Sequence, residues 1–465
     1  MTNNYMKNTK TLLAACLIAA ALSQGQAGAQ MPGFPRMNMD SLNALTANDH
    51  ANMMGQLGLT SVRPGRDGYS TDPAIGANYN QYIANPYPVY PELLTTFDGK
   101  PVKNAKTWMK VRRPELIKAY EDEVYGHIPA NVPDVTWKVV KEEKVMMGDV
   151  PCISRDLEGV VDNSSCPEIS VTIEANIVWP ESAGNNLPVI VEYGFGRMMG
   201  NFSMPGMPGM PKRKSFQEQV VERGWAAATI VPTSYQADGG HGLRRGIIGL
   251  CNKGGYRKPS DWGTLRAWGW GTSRLLDYFE GEAKFDATKV AIEGNSRYGK
   301  TALVTGVFDE RIAAVFASSS GKGGAAPWRR YCGEALENLT SDGEYHWMAG
   351  NFIKYGSDPL TADDLPVEQH ELIALMAPRL VLISAGQPGA DQWQDLIGMF
   401  MAAYKASPAF ELFGDPGIKN EVFPGTNVGV GEGAITYRMH DGGHEPGPTW
   451  PYFLDRFDKL VVKGK

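Results

Sequence analysis

Lys289-Val-Ala-Ile-Glu-Gly-Asn-Ser-Arg-Tyr-Gly-Lys-Thr-Ala-Leu-Val-Thr-Gly-Val-Phe308 is the stretch that decides the fold. Lys289 to Glu293 reads as a short buried strand and Ser296 to Phe308 as a helix, with only Gly294 and Asn295 between them. A serine on so tight a strand-to-helix turn presents its hydroxyl at the carboxyl edge of a sheet, and small flanking residues let the turn form. The helix start adds backbone donors and a positive dipole end, which suit a developing oxyanion. The element is not the lipase-like G-x-S-x-G, because the second glycine comes one residue later and Arg297 follows the serine directly. Taken alone, it reads equally as a serine capping a helix.

The same alternation extends in both directions. Pro188 to Tyr193, Ala226 to Val231, Ile312 to Ala317, Leu380 to Ser384 and Ile435 to Met439 are short apolar runs of strand type. Phe216 to Arg223 and Asp261 to Glu280 carry helical spacing, and so does Asn104 to Tyr125, with Pro114 near a first turn or a break. Val135 to Trp179 holds several β-rich runs. Short apolar strands alternating with helices imply a mainly parallel sheet covered on both faces. The expected fold is therefore α/β, an α/β-hydrolase three-layer sandwich, in one catalytic domain over residues 81–465.

A hydrolase of this architecture orders its triad as serine, acid, histidine. Four histidines follow Ser296: His346, His370, His440 and His444. His440-Asp-Gly-Gly-His444 lies just after the last expected strand, and its glycines let the loop turn back over the sheet. His444 is the expected base, with His440 second. The acid is expected after the Leu380–Ser384 strand, where Asp391 and Asp395 both occur. Asp395 opens a helix, where an acid is a common cap, so Asp391 is preferred. His241, ahead of the serine, reads as a loop residue.

The 465 residues carry a formal charge of −6, which does not suggest a nucleic-acid surface. Lys7 and Lys10, the apolar run Thr11–Leu22 and Ala27-Gly-Ala29 read as a signal peptide over residues 1–29. A lipoprotein reading at Cys16 is less favoured. The run is too short to span a bilayer. A soluble, monomeric protein, secreted or periplasmic, is expected. Residues 30–80, rich in Met, Gly and Pro, read as an extension that lies over the surface or stays partly disordered. Beyond the leader are Cys152, Cys166, Cys251 and Cys332. Cys152 with Cys166, across the polar turn 162–165, and Cys251 with Cys332 are one possible pairing; four free buried thiols are the alternative. No C-x-x-C appears. The Met-rich run 198–210 reads as an adaptable loop, and Lys212-Arg-Lys214 as a solvated face.

These residues resemble the glucuronoyl esterases of carbohydrate esterase family 15, from about Tyr82 to the C-terminus. The resemblance rests on Gly294-Asn-Ser-Arg-Tyr-Gly-Lys300, Arg257-Lys-Pro-Ser-Asp-Trp-Gly-Thr-Leu-Arg-Ala-Trp268, Gly321-Lys-Gly-Gly-Ala-Ala326 and His440-Asp-Gly-Gly-His-Glu445. Lys106-Thr-Trp108 and Glu123-Val-Tyr-Gly126 add to it. It implies hydrolysis of 4-O-methyl-glucuronic acid esters, the linkages between glucuronoxylan and lignin alcohols. It further implies Ser296 as nucleophile, His444 as base, Arg297 at the oxyanion, Lys300, Glu337 and Glu344 on sugar hydroxyls, and Trp393 lining the sugar subsite. Glu337 falls where many members have glutamine, and its alignment needs a one-residue gap.

Many members place the triad acid just after the strand that follows the nucleophile helix. Here that stretch is Ala317-Ser-Ser-Ser-Gly-Lys322, without a carboxylate. Other members, mostly bacterial, use an aspartate two residues before the tryptophan, the spacing of Asp391 to Trp393. No metal or organic cofactor is required. The rival readings are another carbohydrate esterase, such as an acetyl-xylan esterase, and an inactive carbohydrate-binding homologue.

Overall fold

The computed structural model describes residues 39–194 and 213–464. The expected leader, residues 1–29, and the Met-rich run 198–210 lie outside the described residues. Ten strands form one sheet: β1 (Val135–Met147), β2 (Val150–Val161), β3 (Thr172–Pro180), β4 (Leu187–Tyr193), β5 (Ala226–Val231), β6 (Phe285–Asn295), β7 (Ala314–Ser318), β8 (Leu380–Ala385), β9 (Gly429–Val430) and β10 (Ile435–Met439). Their order is β1-β2-β3-β5-β4-β6-β7-β8-β10-β9. The block from β5 to β10 is parallel throughout, while β1, β2, β3 and the short β9 attach antiparallel. This is the α/β-hydrolase architecture.

The six parallel strands are almost wholly buried because helices cover both faces. On one face α3 (Thr264–Gly281), α4 (Arg297–Phe308) and α5 (Leu396–Glu411) pack into the larger core. On the other, α2 (Phe216–Val221) and α6 (Trp450–Phe457) bury Phe216, Trp450, Phe453 and Phe457 against Ile190, Ala291, Phe316 and Leu382. Edge strand β1 is shielded differently. It is mostly exposed and carries three lysines, Lys138, Lys141 and Lys144, beside Glu142 and Glu143, a charge pattern that discourages pairing with another chain.

The stretch 30–80, expected to lie over the surface or stay partly disordered, contains a 19-residue helix, α1 (Met39–Leu57). Its apolar stripe is weak because polar side chains anchor it. The Tyr345 hydroxyl donates to Asp49 Oδ1 at 2.8 Å, the His50 ring bonds the Thr340 carbonyl at 2.9 Å, and Met53 fills the space against Gly350.

The four cysteines are free and buried. Cys152 begins β2 and Cys166 lies past its end, so the strand holds them roughly 30 Å apart at about 3.3 Å per residue. Cys152 also packs with Val178 and Val221, away from the larger core that contains Cys166. No helix among the described residues is long and apolar enough to cross a membrane.

Candidate active site

Ser296 stands between β6 and α4 at φ 62° and ψ −128°. An L-residue is held in this region only where the surroundings over-determine it. Its N–H donates to the Ser318 carbonyl of β7 at 2.9 Å, and its own carbonyl accepts from the Lys300 N–H at 3.1 Å. Two glycines make the bend possible. A Cβ at Gly294 would sit 2.1 Å from the Tyr298 carbonyl oxygen, and one at Gly299 would sit 2.4 Å from that of Ser318. The Ser296 hydroxyl makes no capping hydrogen bond to α4. The helix-cap reading therefore does not describe this serine, which stays partly exposed.

Two later loops interlock beside the bend. Gln387 N–H donates to the Gly442 carbonyl at 3.0 Å, and the Gln387 side chain donates to the Asp441 carbonyl at 2.8 Å. A Cβ at Gly386 would lie 2.2 Å from the Gly443 oxygen. This packing brings His444 Nδ1 to 2.7 Å from Asp391 Oδ1. The second Asp391 oxygen accepts from the Ser319 hydroxyl at 2.6 Å and from Gly386 N–H at 2.8 Å. Ser319 lies in the stretch that lacks the carboxylate found in many members, and here it supplies a hydroxyl to the aspartate instead. The Asn295 amide donates to the His444 carbonyl at 3.4 Å, tying this loop to the serine bend.

The alternatives for acid and base have other partners. Asp395 caps α5 through Gly398 N–H at 3.1 Å and pairs with buried Arg330 at 2.8 Å. His440 is fully buried, its Nδ1 accepting from Gly442 N–H at 3.0 Å. Burial pushes its pKa down. Exposed Arg213 pairs with Glu445 at 2.9 Å, next in sequence to His444.

On the opposite side of Ser296, Arg297 forms an ion pair with Asp238. Asp238 also accepts from the His346 ring at 2.9 Å and from the Trp347 indole N–H at 2.8 Å. Burial alone would raise the Asp238 pKa. The His346 hydrogen bond and the Arg297 charge hold it well below the usual carboxylate range. The Arg297 guanidinium lies 5.4 Å and the Lys300 ammonium 5.5 Å from the centroid of the Trp347 ring. Buried Lys300 bonds the Ser320 carbonyl at 2.9 Å and Glu334 at 3.0 Å.

Glu344 completes this group. Burial first, then the nearby Glu334 charge, push its carboxyl up to about 8, against the pull of Lys300 and Arg297. Its Oε2 is buried without a hydrogen-bond partner. Trp393 is half-buried, and its carbonyl accepts from Glu334 N–H at 2.9 Å.

Ser296, Arg297, Lys300, Glu344, Asp391 and His444 thus gather about the carboxyl edge of β6, β7 and β8, with Trp393 on the adjoining loop. Glu337 does not join them. Its carboxylate bonds Arg63 at 3.1 Å and the Tyr331 hydroxyl at 3.0 Å. Asp238 and Glu334 were not singled out from sequence. Neither stands in a motif, and each reaches the site only through loop packing. Among the described residues no cluster of three or more metal-ligating side chains occurs.

The fold that carries this site has counterparts among solved structures. A glucuronoyl esterase of carbohydrate esterase family 15 from Teredinibacter turnerae is 38% identical, with a TM-score of 0.82 over 89% of this chain and 99% of its own. The chain belongs to carbohydrate esterase family 15, the glucuronoyl esterases. A glucuronoyl esterase from Solibacter usitatus is 31% identical, with a TM-score of 0.72, covering 82% of this chain and 100% of its own. Residues 254–414 match the family described as glucuronyl esterase, fungi. A 4-O-methyl-glucuronoyl methylesterase from Schizophyllum commune is 27% identical over 70% of this chain and 74% of its own. In these terms the protein is a carboxylic ester hydrolase. The residues matched by the fungal family run from just before α3 to the end of α5, so they include Ser296 and Asp391 but not His444.

Proposed function

We propose that this glucuronoyl esterase hydrolyses esters of glucuronic and 4-O-methyl-glucuronic acid, as in the linkages between glucuronoxylan and lignin alcohols, through an acyl-enzyme on Ser296. The observation that carries the reading is the 2.7 Å bond between His444 and a buried Asp391, on loops clamped beside a non-capping serine in a strained bend. An aspartate carboxylate accepting at this bond makes the imidazole donate from Nδ1, leaving Nε2 free to act as base.

In this reading the Ser296 hydroxyl attacks the ester carbonyl while His444 Nε2 takes its proton. Negative charge develops on the carbonyl oxygen and is met by the amino end of α4 and by Arg297. The C–O bond to the alcohol breaks, His444 returns the proton to the leaving alkoxide, and water repeats the sequence to free the acid. Lys300 and Glu344 hold sugar hydroxyls, and Trp393 gives the ring an apolar wall. Buried polar groups awaiting a hydroxyl discriminate strongly against esters that lack it.

The test is Ser296→Ala assayed on methyl and benzyl glucuronate, with the wild type compared on an acetyl ester at equal concentration. Loss of turnover and of fluorophosphonate labelling is expected, with the glucuronate ester preferred by the wild type. Retained turnover would remove the nucleophile, and preference for the acetyl ester would change the substrate. Residues 1–29 are read as an export signal. A mature N-terminus at Gln30 is the expected sequencing result.

A further inference from the structure

A second cleft, of about 500 Å³, opens between the N-terminal segment and the Tyr331–Glu337 loop. It is not the serine site, whose residues do not line it. Arg63, Arg66 and Tyr87 come from the N-terminal side, and Tyr331 and Glu337 from the catalytic domain. Arg63 is structurally committed. It bonds Glu337, Asp358, and the carbonyls of Tyr355 and Leu360.

The other groups are less occupied. Glu337 is 96% buried, and its Oε2 has no hydrogen-bond partner although the residue lines the cleft. A buried carboxylate oxygen without a donor is costly unless a ligand or water supplies one. The Arg66 guanidinium makes a single hydrogen bond among the described residues, to the Ala74 carbonyl at 2.9 Å. The Tyr87 and Tyr331 rings stand 6.2 Å apart at 59° to each other.

Charge and shape together define the ligand. Arg63 and Arg66 are balanced by Glu337 and Asp358, so the cleft selects neither an anion nor a cation. Tyrosine faces beside a carboxylate and a guanidinium match a sugar ring, which presents C–H faces and a hydroxyl edge. An aryl alcohol would leave the charged groups unmatched.

The cleft also abuts the serine site. Glu334, on Lys300, and Glu337, in the cleft, are three residues apart, at most about 10 Å along the chain. Gly333 lines the cleft, and a Cβ there would lie 2.2 Å from the Trp393 carbonyl. From the N-terminal side, a Cβ at Gly68 would lie 2.9 Å from the Trp393 ring.

We propose that this cleft is a second carbohydrate subsite, which holds a neutral sugar residue of the glycan chain that bears the esterified uronate. The identity of that glycan rests on the function proposed above. The subsite gives the enzyme a preference for polymer-borne esters over free uronate esters, with Glu337 Oε2 and Arg66 meeting hydroxyls and Tyr87 meeting the ring face.

The test compares kcat/KM for benzyl glucuronate with that for the benzyl ester of a glucuronic acid carried on xylotriose. Xylotetraose binding to Ser296→Ala is measured in parallel by calorimetry. In Arg66→Ala and, separately, in Tyr87→Ala, the carried-to-free ratio is expected to fall about tenfold, through KM, the scale of one hydrogen bond to a charged group. Xylotetraose binding is expected to weaken in step. Glu337→Gln, which conserves shape, should reproduce the loss. Ratios equal to wild type in all three variants, with unchanged xylotetraose affinity, would overturn the subsite. So would variants that alter only discrimination among aryl leaving groups. A wild type inactive on both esters would sink the esterase reading instead, and xylotetraose binding that is lost on Arg66→Ala would still uphold the subsite.

Discussion

Asp391 and Asp395 stand four residues apart and turn to different partners, the first to His444 and the second to Arg330. Asp391→Asn should therefore lower kcat by about 10³- to 10⁴-fold, the scale seen when the triad imidazole is left in the wrong tautomer. Asp395→Asn should mainly lower the melting temperature, because it leaves buried Arg330 without its charge partner, a cost of about 3–5 kcal/mol. Steady-state rates on methyl glucuronate beside melting curves separate the two. The opposite pattern would move the acid to Asp395.

Asp238 acts through Arg297 and Trp347. Removing its charge by Asp238→Asn frees the guanidinium from its anchor while leaving an amide oxygen for the indole N–H. A fall in kcat of about 10- to 100-fold is expected, with KM for methyl glucuronate changing less, because the guanidinium meets charge that develops in the transition state. Equal losses in a melt and in kcat would reduce Asp238 to a packing residue.

Glu344 predicts an alkaline limb. Burial pushes its carboxyl up to about 8, so below that pH the protonated group can both donate to and accept from a hydroxyl in the proposed sugar site. Above it the donor is lost and the group ionises. KM for methyl glucuronate should rise as pH passes about 8, and Glu344→Gln should flatten that rise while raising KM at neutral pH. A wild-type KM that stays level to pH 9.5 would contradict the assignment.

Beneath the serine bend, Glu192 of β4 and Glu293 of β6 face each other in register. Burial pushes Glu192 up to about 8, and burial with the Glu192 charge pushes Glu293 well above the usual range. Both folded values exceed the ordinary 4.5 of the unfolded chain. Their contribution to stability is therefore fully present below about pH 4.5, and the Glu192 share is lost as pH rises through about 8. Glu293→Gln should lessen the fall in melting temperature between pH 5 and 9. An unchanged slope would show that the pair does not set it.

Much of this molecule is legible in its sequence because the parallel strands are buried on both faces and so appear as short apolar runs. Ala226–Val231 and Ile435–Met439 have the expected bounds, and β6 is longer than expected at both ends, through residues 285–288 before the apolar run and Gly294 and Asn295 after it. Ser296 was legible from its place between strand and helix. Glu337, expected on sugar hydroxyls with Lys300, bonds Arg63 and Tyr331 instead of the lysine, and no periodicity in the winding loop from Ser319 to Glu344 could have shown which glutamate turns to Lys300. Glu334 takes the position beside the lysine. Helix α1 is not legible in the sequence because it is held by hydrogen bonds at Asp49, which accepts from Tyr345, and at His50, and these leave little trace in a hydrophobic pattern.

The anchoring of α1 has a consequence for the order of assembly. Its partners Thr340 and Tyr345 lie 290 and 296 residues downstream of His50 and Asp49. The first helix among the described residues also accepts at Thr46 Oγ1 from the His241 N–H, so its docking surface is assembled from segments 195 to 299 residues further along, and contacts so distant in sequence form slowly. The β-sheet core can thus condense before this helix is seated against its distant partners.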